Sequence, residues 1–356
     1  MMAIKDRVAQ FCEAYSLDIP ILMAPMAGAC PVDLAAAVAR GGGMGACGAL
    51  LMKPQAIIKW GSELRSKTNG SFQMNLWIPD PAPDRDLQAE AEVRAFLGSW
   101  GPQVAEEAAE VPMPDFEAQC EALLAAGPTV ISSIMGLYPP AFIEQMKEQG
   151  IRWFATVTTV EEAIAAEAAG ADVVVAQGAE AGGHRGAFNA EEAIHKAVGL
   201  FSLLPAVVDN VSIPVVATGG IADARGIAAA LTLGASAVQM GTGFLLTPEA
   251  GLNSAWADGL KNAKPEDTCV TRAFSGRAGR SLASDYVKAM NDASAPSPAP
   301  YPIQRNLTAA MRAEAAAEND VHRLQTWAGQ SAGLAATEQA SDLTRRLWDE
   351  AQHLIA

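Results

Sequence analysis

The chain has 356 residues, half of them apolar, and a formal net charge of −15 at pH 7. That balance excludes nucleic acid as an expected partner, because neutralising phosphates takes clustered Lys and Arg. The five cysteines, Cys12, Cys30, Cys47, Cys120 and Cys269, form no CxxC pair, which argues against a disulfide framework or a structural zinc site.

Residues 1–17 carry Lys5, Asp6, Arg7 and Glu13 and lack the apolar centre of a signal peptide. Strand-length apolar runs then follow at Ile21–Met26, Met44–Leu50, Phe72–Ile78, Thr129–Met135, Arg152–Thr158, Asp172–Gly178, Pro214–Gly220 and Ala237–Gly243. They are apolar throughout rather than alternating, as parallel strands buried on both faces should be. Helical signals lie between them. Asp33–Arg40 ends in a glycine run. Thr159 and Glu162 have capping-box spacing before Ala163–Ala169, and Asn189 with Glu192 predicts a helix start before Ile194–Leu204. Asp223 caps Arg225–Leu233, and Gly234 closes it. The run Ile227–Leu246 is broken by Gly, Ser, Thr and Gln, so it predicts helix, turn and strand, not a membrane span. No membrane association is expected, and the expected compartment is the cytoplasm.

Strand and helix alternate eight times at a period of roughly 20–25 residues, which predicts an α/β fold of the (β/α)8 TIM-barrel type. The rival is an open doubly wound sheet. Two insertions break the period, at about 79–116 after the third strand and 179–213 after the sixth. Residues 1–246 are assigned to the barrel and 247–356 to a C-terminal helical extension packed on it. Within the extension, Thr247–Ala263, Asn306–Asn319 and Ala335–Ile355 read as helices. Thr268–Ser284 reads as irregular and basic, and 293–302 as a Pro-rich crossing.

The seventh strand ends Thr218-Gly219-Gly220-Ile221, and the eighth reads Gln239-Met240-Gly241-Thr242-Gly243. In a TIM barrel these two loops commonly hold a phosphate on backbone N–H groups. Either alone is equally well a tight turn. No Lys or Arg accompanies them, so a lone phosphate monoester fits better than a triphosphate, and flavin mononucleotide (FMN) meets that description. The sixth strand runs into Gln177-Gly-Ala-Glu-Ala-Gly-Gly-His184-Arg-Gly186. Of four histidines, only His184 follows a strand where a barrel presents catalytic side chains; His195 falls in a helical stretch and His322 and His353 in the extension. His184 is the candidate catalytic residue, although bracing the loop is also open to it. Glu180 and Arg185 read equally as solvated charges. No residues stand at metal-ligand spacing, so no metal is expected. Ala24-Pro25-Met26 after the first strand offers small residues and a thioether for a planar ring. Asn75 places an amide inside an apolar strand and needs a partner.

These segments resemble the nitronate monooxygenase family, formerly the 2-nitropropane dioxygenases, over nearly the whole chain. The motif Ala176–Gly186, the blocks Pro214–Asp223 and Ala237–Phe244, the opening Ala24–Ala27, Asn75 and the late Trp327–Leu334 carry the likeness, the last of them suggesting the bacterial class I branch. The resemblance implies an FMN-binding barrel with cofactor contacts at Ala24, Pro25, Met26, Asn75, Gln177, Gly182, Gly220, Gln239, Met240, Gly241 and Thr242, joined by Gly219 of the phosphate loop. It also implies His184 at the flavin's reactive face, and oxidation of nitronates such as propionate 3-nitronate with O2 to carbonyl compounds plus nitrite. His184 would orient the nitronate or, for a neutral nitroalkane, remove its α-proton. Tyr301 and Arg305 are expected near the pocket. The alternatives are an NAD(P)H-dependent FMN barrel of the quinone reductase or enoyl-ACP reductase type, and a non-enzymatic flavin-binding or ligand-sensing barrel.

Overall fold

Each apolar run forms a strand, and the runs pair side by side in parallel because both faces of each need covering. A computed structural model describes residues 2–355. In chain order it begins with α1 (Ile4–Tyr15), β1 (Ile21–Met23), α2 (Val32–Arg40), β2 (Gly45–Gly48), α3 (Pro54–Lys67), β3 (Phe72–Trp77), α4 (Leu87–Leu97) and α5 (Phe116–Ala126). There follow β4 (Val130–Ile134), α6 (Pro140–Glu148), β5 (Arg152–Val157), α7 (Val160–Ala168), β6 (Val173–Gln177) and the two-residue β7 (Gly183–His184). Then come α8 (Leu200–Val208), β8 (Val215–Thr218), α9 (Ala224–Thr232), β9 (Ala237–Met240), α10 (Ser254–Lys261), β10 (Thr268–Thr271) and β11 (Gly279–Leu282). The chain ends with α11 (Asp285–Met290), α12 (Ile303–Leu307), α13 (Ala309–Glu318) and α14 (Ala340–Leu354).

The parallel order is β1-β9-β8-β6-β5-β4-β3-β2. Met23 N–H donates to Met44 O (2.9 Å) and Met44 N–H to Ile21 O (3.1 Å), which joins β1 to β2 and closes the ring. The fold is therefore the (β/α)8 barrel and not the open sheet. Gln73 on β3 donates to Gln239 Oε1 on β9 (2.9 Å), and these strands are not neighbours. The two amides thus meet across the interior, just below the end that carries the site.

Helix starts follow local capping where the cap is real. Thr159 Oγ1 accepts from Glu162 N–H (3.1 Å) and Asp223 from Gly226 N–H (3.0 Å). The helix expected over 194–204 is corrected. Asn189 Oδ1 takes Glu191 N–H in a local turn, residues 190–196 form turns, and α8 starts only at Leu200. Both oxygens of Glu180, from a distant loop, accept Leu200 N–H at 2.9 Å. Tertiary capping therefore overrode the local signal, and His195 sits in a turn, not a helix. Thr268–Ser284 is not irregular either. It folds as the antiparallel pair β10–β11, and β11 also pairs with β7 so that Gly279 lies opposite His184.

The segments outside the barrel share a second apolar cluster. Val93 and Leu97 of α4 pack with Phe274, Tyr286, Leu307 and Met311. The acidic insertion and the C-terminal segment thus build one roof together. Helix α14 does something different. It lies between α2 and α9, with Ala340, Leu343, Leu347 and Ala351 buried in the barrel's own core. No helix among the described residues is long and apolar enough to cross a membrane.

Candidate active site

A cavity of about 1530 Å³, its open mouth included, lies over the C-terminal ends of the strands. Ala24, Pro25 and Met26 line it after β1, and Asn75 does so from β3. Gln177, Gly182 and His184 enter from β6 and its loop, Gly219 and Gly220 from the loop after β8, and Gln239, Gly241 and Thr242 from β9. Met240 does not line it: at 1% exposed its side chain belongs to the barrel core, and only its carbonyl serves the site by accepting Ala24 N–H (2.7 Å). One residue on a strand separates inward from outward, and the motif Gln-Met-Gly hides that alternation.

The two glycine loops follow the neighbouring strands β8 and β9 and so lie side by side. Gly219 (φ +112°) and Gly220 (φ +68°) adopt backbone that side chains disfavour. Gly219, Gly220 and Gly241 donate their N–H groups to no acceptor among the described residues, so these donors remain for a ligand. A Cβ on Gly241 would press on Ala24 Cβ and Met26 Sδ at 3.3 Å, so glycine also keeps this wall low. Sequence reasoning missed a third wall. Residues 327–331 come back from the C-terminal segment, where Gly329 N–H donates to Thr242 Oγ1 (3.0 Å) and Ser331 Oγ to Gly220 O (2.6 Å). This is the Trp-Ala-Gly-Gln-Ser run that stood out only by resemblance. Glu180 and Arg185 are braces, not solvated charges. Glu180 caps α8, and Arg185, 1% exposed, donates to Gly178 O (2.6 Å) and Gln177 O (3.2 Å).

His184 is held on three sides. Its ring sits 4.7 Å from the Trp77 ring, edge-on, and 4.6 Å from that of Trp327. Nε2 hydrogen-bonds Ser275 Oγ at 2.7 Å. Gln177 fixes the backbone on either side, donating to His184 O (3.1 Å) and accepting from Gly186 N–H (2.8 Å). Burial, reinforced by Arg277 and Arg305, pushes the imidazole down from its ordinary 6.5 to about 3. His184 is therefore neutral at neutral pH. Ser275 could not be found from sequence, because it lies in the stretch misread as irregular. Ser275→Ala should lower kcat/KM about tenfold by freeing the ring, the scale of one lost hydrogen bond with a polar partner. Steady-state kinetics checks this, and an unchanged value would make the contact incidental.

Arg277, 3% exposed in its side chain, is neutralised by Asp80 (2.6 Å) at the end of β3 and donates to Ala187 O (2.8 Å). This pair ties the roof to the loop bearing His184. Tyr301 and Arg305 both line the cavity as expected, and the Trp77 ring lies 5.3 Å from that of Tyr301, tilted by 38°. Among the described residues no cluster of three His, Cys, Asp or Glu side chains could hold a metal.

The chain is similar to known proteins along nearly its whole length. The family model described as nitronate monooxygenase matches residues 11–350. A probable nitronate monooxygenase of Staphylococcus haemolyticus (strain JCSC1435) is 36% identical, covering 97% of this chain and 98% of the relative. One of Staphylococcus aureus (strain JH9) is 35% identical over 99% and 98%. Among solved structures, the nitroalkane oxidase of Streptomyces ansochromogenes superposes with a TM-score of 0.88 at 33% identity, covering 97% of this chain and all of that one. FabK of Thermotoga maritima gives 0.76 at 30%, over 97% and 96%. On the family match and these end-to-end relatives, the chain belongs to the nitronate monooxygenase family and is an oxidoreductase.

Proposed function

We propose that the protein is an FMN-dependent nitronate monooxygenase, oxidising alkyl nitronates such as propionate 3-nitronate with O2 to carbonyl compounds plus nitrite. The observation that carries this is the shared cavity: free glycine N–H groups on one wall and a neutral, clamped His184 on another. The residues present fit FMN. Gly219, Gly220, Gly241 and Thr242 would hold its phosphate, and Ala24–Met26 would flank its ring. Asn75, Gln177 and Gln239 would meet the ring's polar edge. Bound there, the cofactor would supply the electron transfer between nitronate and O2.

The protein's own part is to bind and orient. A nitronate arrives as an anion, and Arg305 at the cavity wall makes the site attractive to it. Trp77, Trp327 and Tyr301 exclude water from this side. A neutral imidazole can hydrogen-bond the nitronate without a proton transfer. An imidazole whose proton affinity has fallen this far is a poor general base, which favours the orienting role.

The pH dependence follows. Turnover of a preformed nitronate should show no His184 inflection between about pH 5 and 9. An inflection near the ordinary histidine value that disappears in His184→Asn would overturn the orienting role. For stability the sign is also fixed. The folded value lies below the unfolded one, so the unfolded chain binds more protons between about 3 and 6.5. This contribution is whole above 6.5 and is lost as pH falls toward 3.

The direct experiment is oxygen uptake with propionate 3-nitronate, set against NADH plus a quinone. Purified protein should be yellow and release FMN. Release of FAD, or no flavin at all, would sink the cofactor assignment, and turnover only with NADH would favour a reductase.

A further inference from the structure

A second, smaller cavity of about 650 Å³ lies behind the main one and opens beside Gly251, Leu252 and Asn253. Trp256, Arg312 and Gln325 line both cavities and so form the partition between them. None of the glycine-loop residues lines the second cavity, so it is separate from the phosphate cradle.

The partition is rich in donors and short of acceptors. Arg312 bonds only neutral oxygens: Thr308 Oγ1 (3.2 Å), Gln325 Oε1 (3.1 Å) and Arg305 O (2.8 Å). A guanidinium has five N–H groups, so two remain. The Gln325 oxygen is already occupied by Arg312. Trp256 Nε1 is buried with no hydrogen-bond partner among the described residues. No carboxylate among the described residues pairs with the charge on Arg312. Burial and the nearby Arg305 cation together push its pKa down to about 10. A desolvated cation without a counter-ion is costly, as is a buried donor without a partner, and an anion held in the partition would relieve both.

We propose that this partition binds a small planar oxyanion, a carboxylate or nitrite, with Arg312 as its charge partner and Trp256 Nε1 as a second donor. Two sources supply that chemistry: the carboxylate end of a substrate such as propionate 3-nitronate, or the nitrite released from it. Only this choice of source rests on the nitronate reading; the binding itself does not.

Thermal unfolding of the protein as purified tests the binding. Sodium acetate and sodium nitrite should raise the midpoint above that in sodium chloride of equal ionic strength, since a ligand of the folded state stabilises it. Arg312→Met should weaken binding about tenfold or more and remove the difference, and Trp256→Phe should weaken it about threefold. The same midpoint in all three salts would overturn the proposal, as would a full shift surviving in Trp256→Phe and in whichever neutral Arg312 variant folds, Met or Gln. Kinetics then assigns the source. A rise in KM in Arg312→Met confined to nitronates that carry a carboxylate identifies the substrate's own end. Relief of nitrite inhibition with every nitronate identifies the product.

Discussion

His184→Ala should lower turnover on a nitronate about 100-fold, the scale of losing a positioned contact at the reacting atoms, while FMN content stays near that of the unaltered protein. The reason is a division of labour between side chain and backbone. The imidazole meets Ser275, Trp77 and Trp327, whereas the loop is held by Gln177 through the His184 carbonyl and Gly186 N–H, and by pairing of β7 with β11. Removing the ring therefore empties one wall and leaves the glycine cradle in place. His184→Asn, which keeps a short polar group, should fall between the two. Oxygen uptake and visible absorbance read the two effects separately. Unchanged kinetics would return His184 to a bracing role, and loss of colour in step with activity would mean that the ring supports the cofactor site itself.

Gly182→Ala should act on the other wall. A Cβ there would stand 2.5 Å from Gly329 N and 2.7 Å from Ala328 C, and both are backbone atoms that cannot rotate away. The segment 327–331 would have to retreat. It carries Gly329 onto Thr242, Ser331 onto Gly220 and Trp327 onto His184, so one methyl group disturbs the glycine loops and the His184 ring together. We expect FMN affinity to fall about 100-fold, the sum of two weakened hydrogen-bonding contacts with the strain of an overpacked site. The protein should leave purification nearly colourless yet cooperatively folded. Full flavin occupancy in Gly182→Ala would show that the 327–331 segment yields without cost.

The barrel was legible because its signal is local and repeated. Eight apolar runs separated by helix caps such as Thr159 and Asp223 fix strand, helix and order from short stretches alone. The cavity floor was legible for the same reason, since residues at strand ends follow once the strands are known. What escaped was set by contacts distant in sequence. Strand β11 has the polar sequence Gly-Arg-Ser-Leu and becomes a strand by pairing with β10 and with Gly183 and His184 of β7. Ser275 was hidden with it. The start of α8 was misplaced because its cap, Glu180, is twenty positions away. Met240 stands among the expected cofactor contacts while its side chain turns into the core, because a motif records neighbours in sequence but not the face each one turns to.

The position of α14 has a consequence for how the site opens. The C-terminal part of the roof is a long excursion between β9 and α14, and both of these are built into the barrel wall. A cover joined at one edge can swing about that edge; this one is moored at both. The Asp80–Arg277 pair stitches it to the β3 loop between its ends. Swinging the whole roof away would therefore break that pair and strain both moorings, so opening is expected to involve a part of the roof and not all of it.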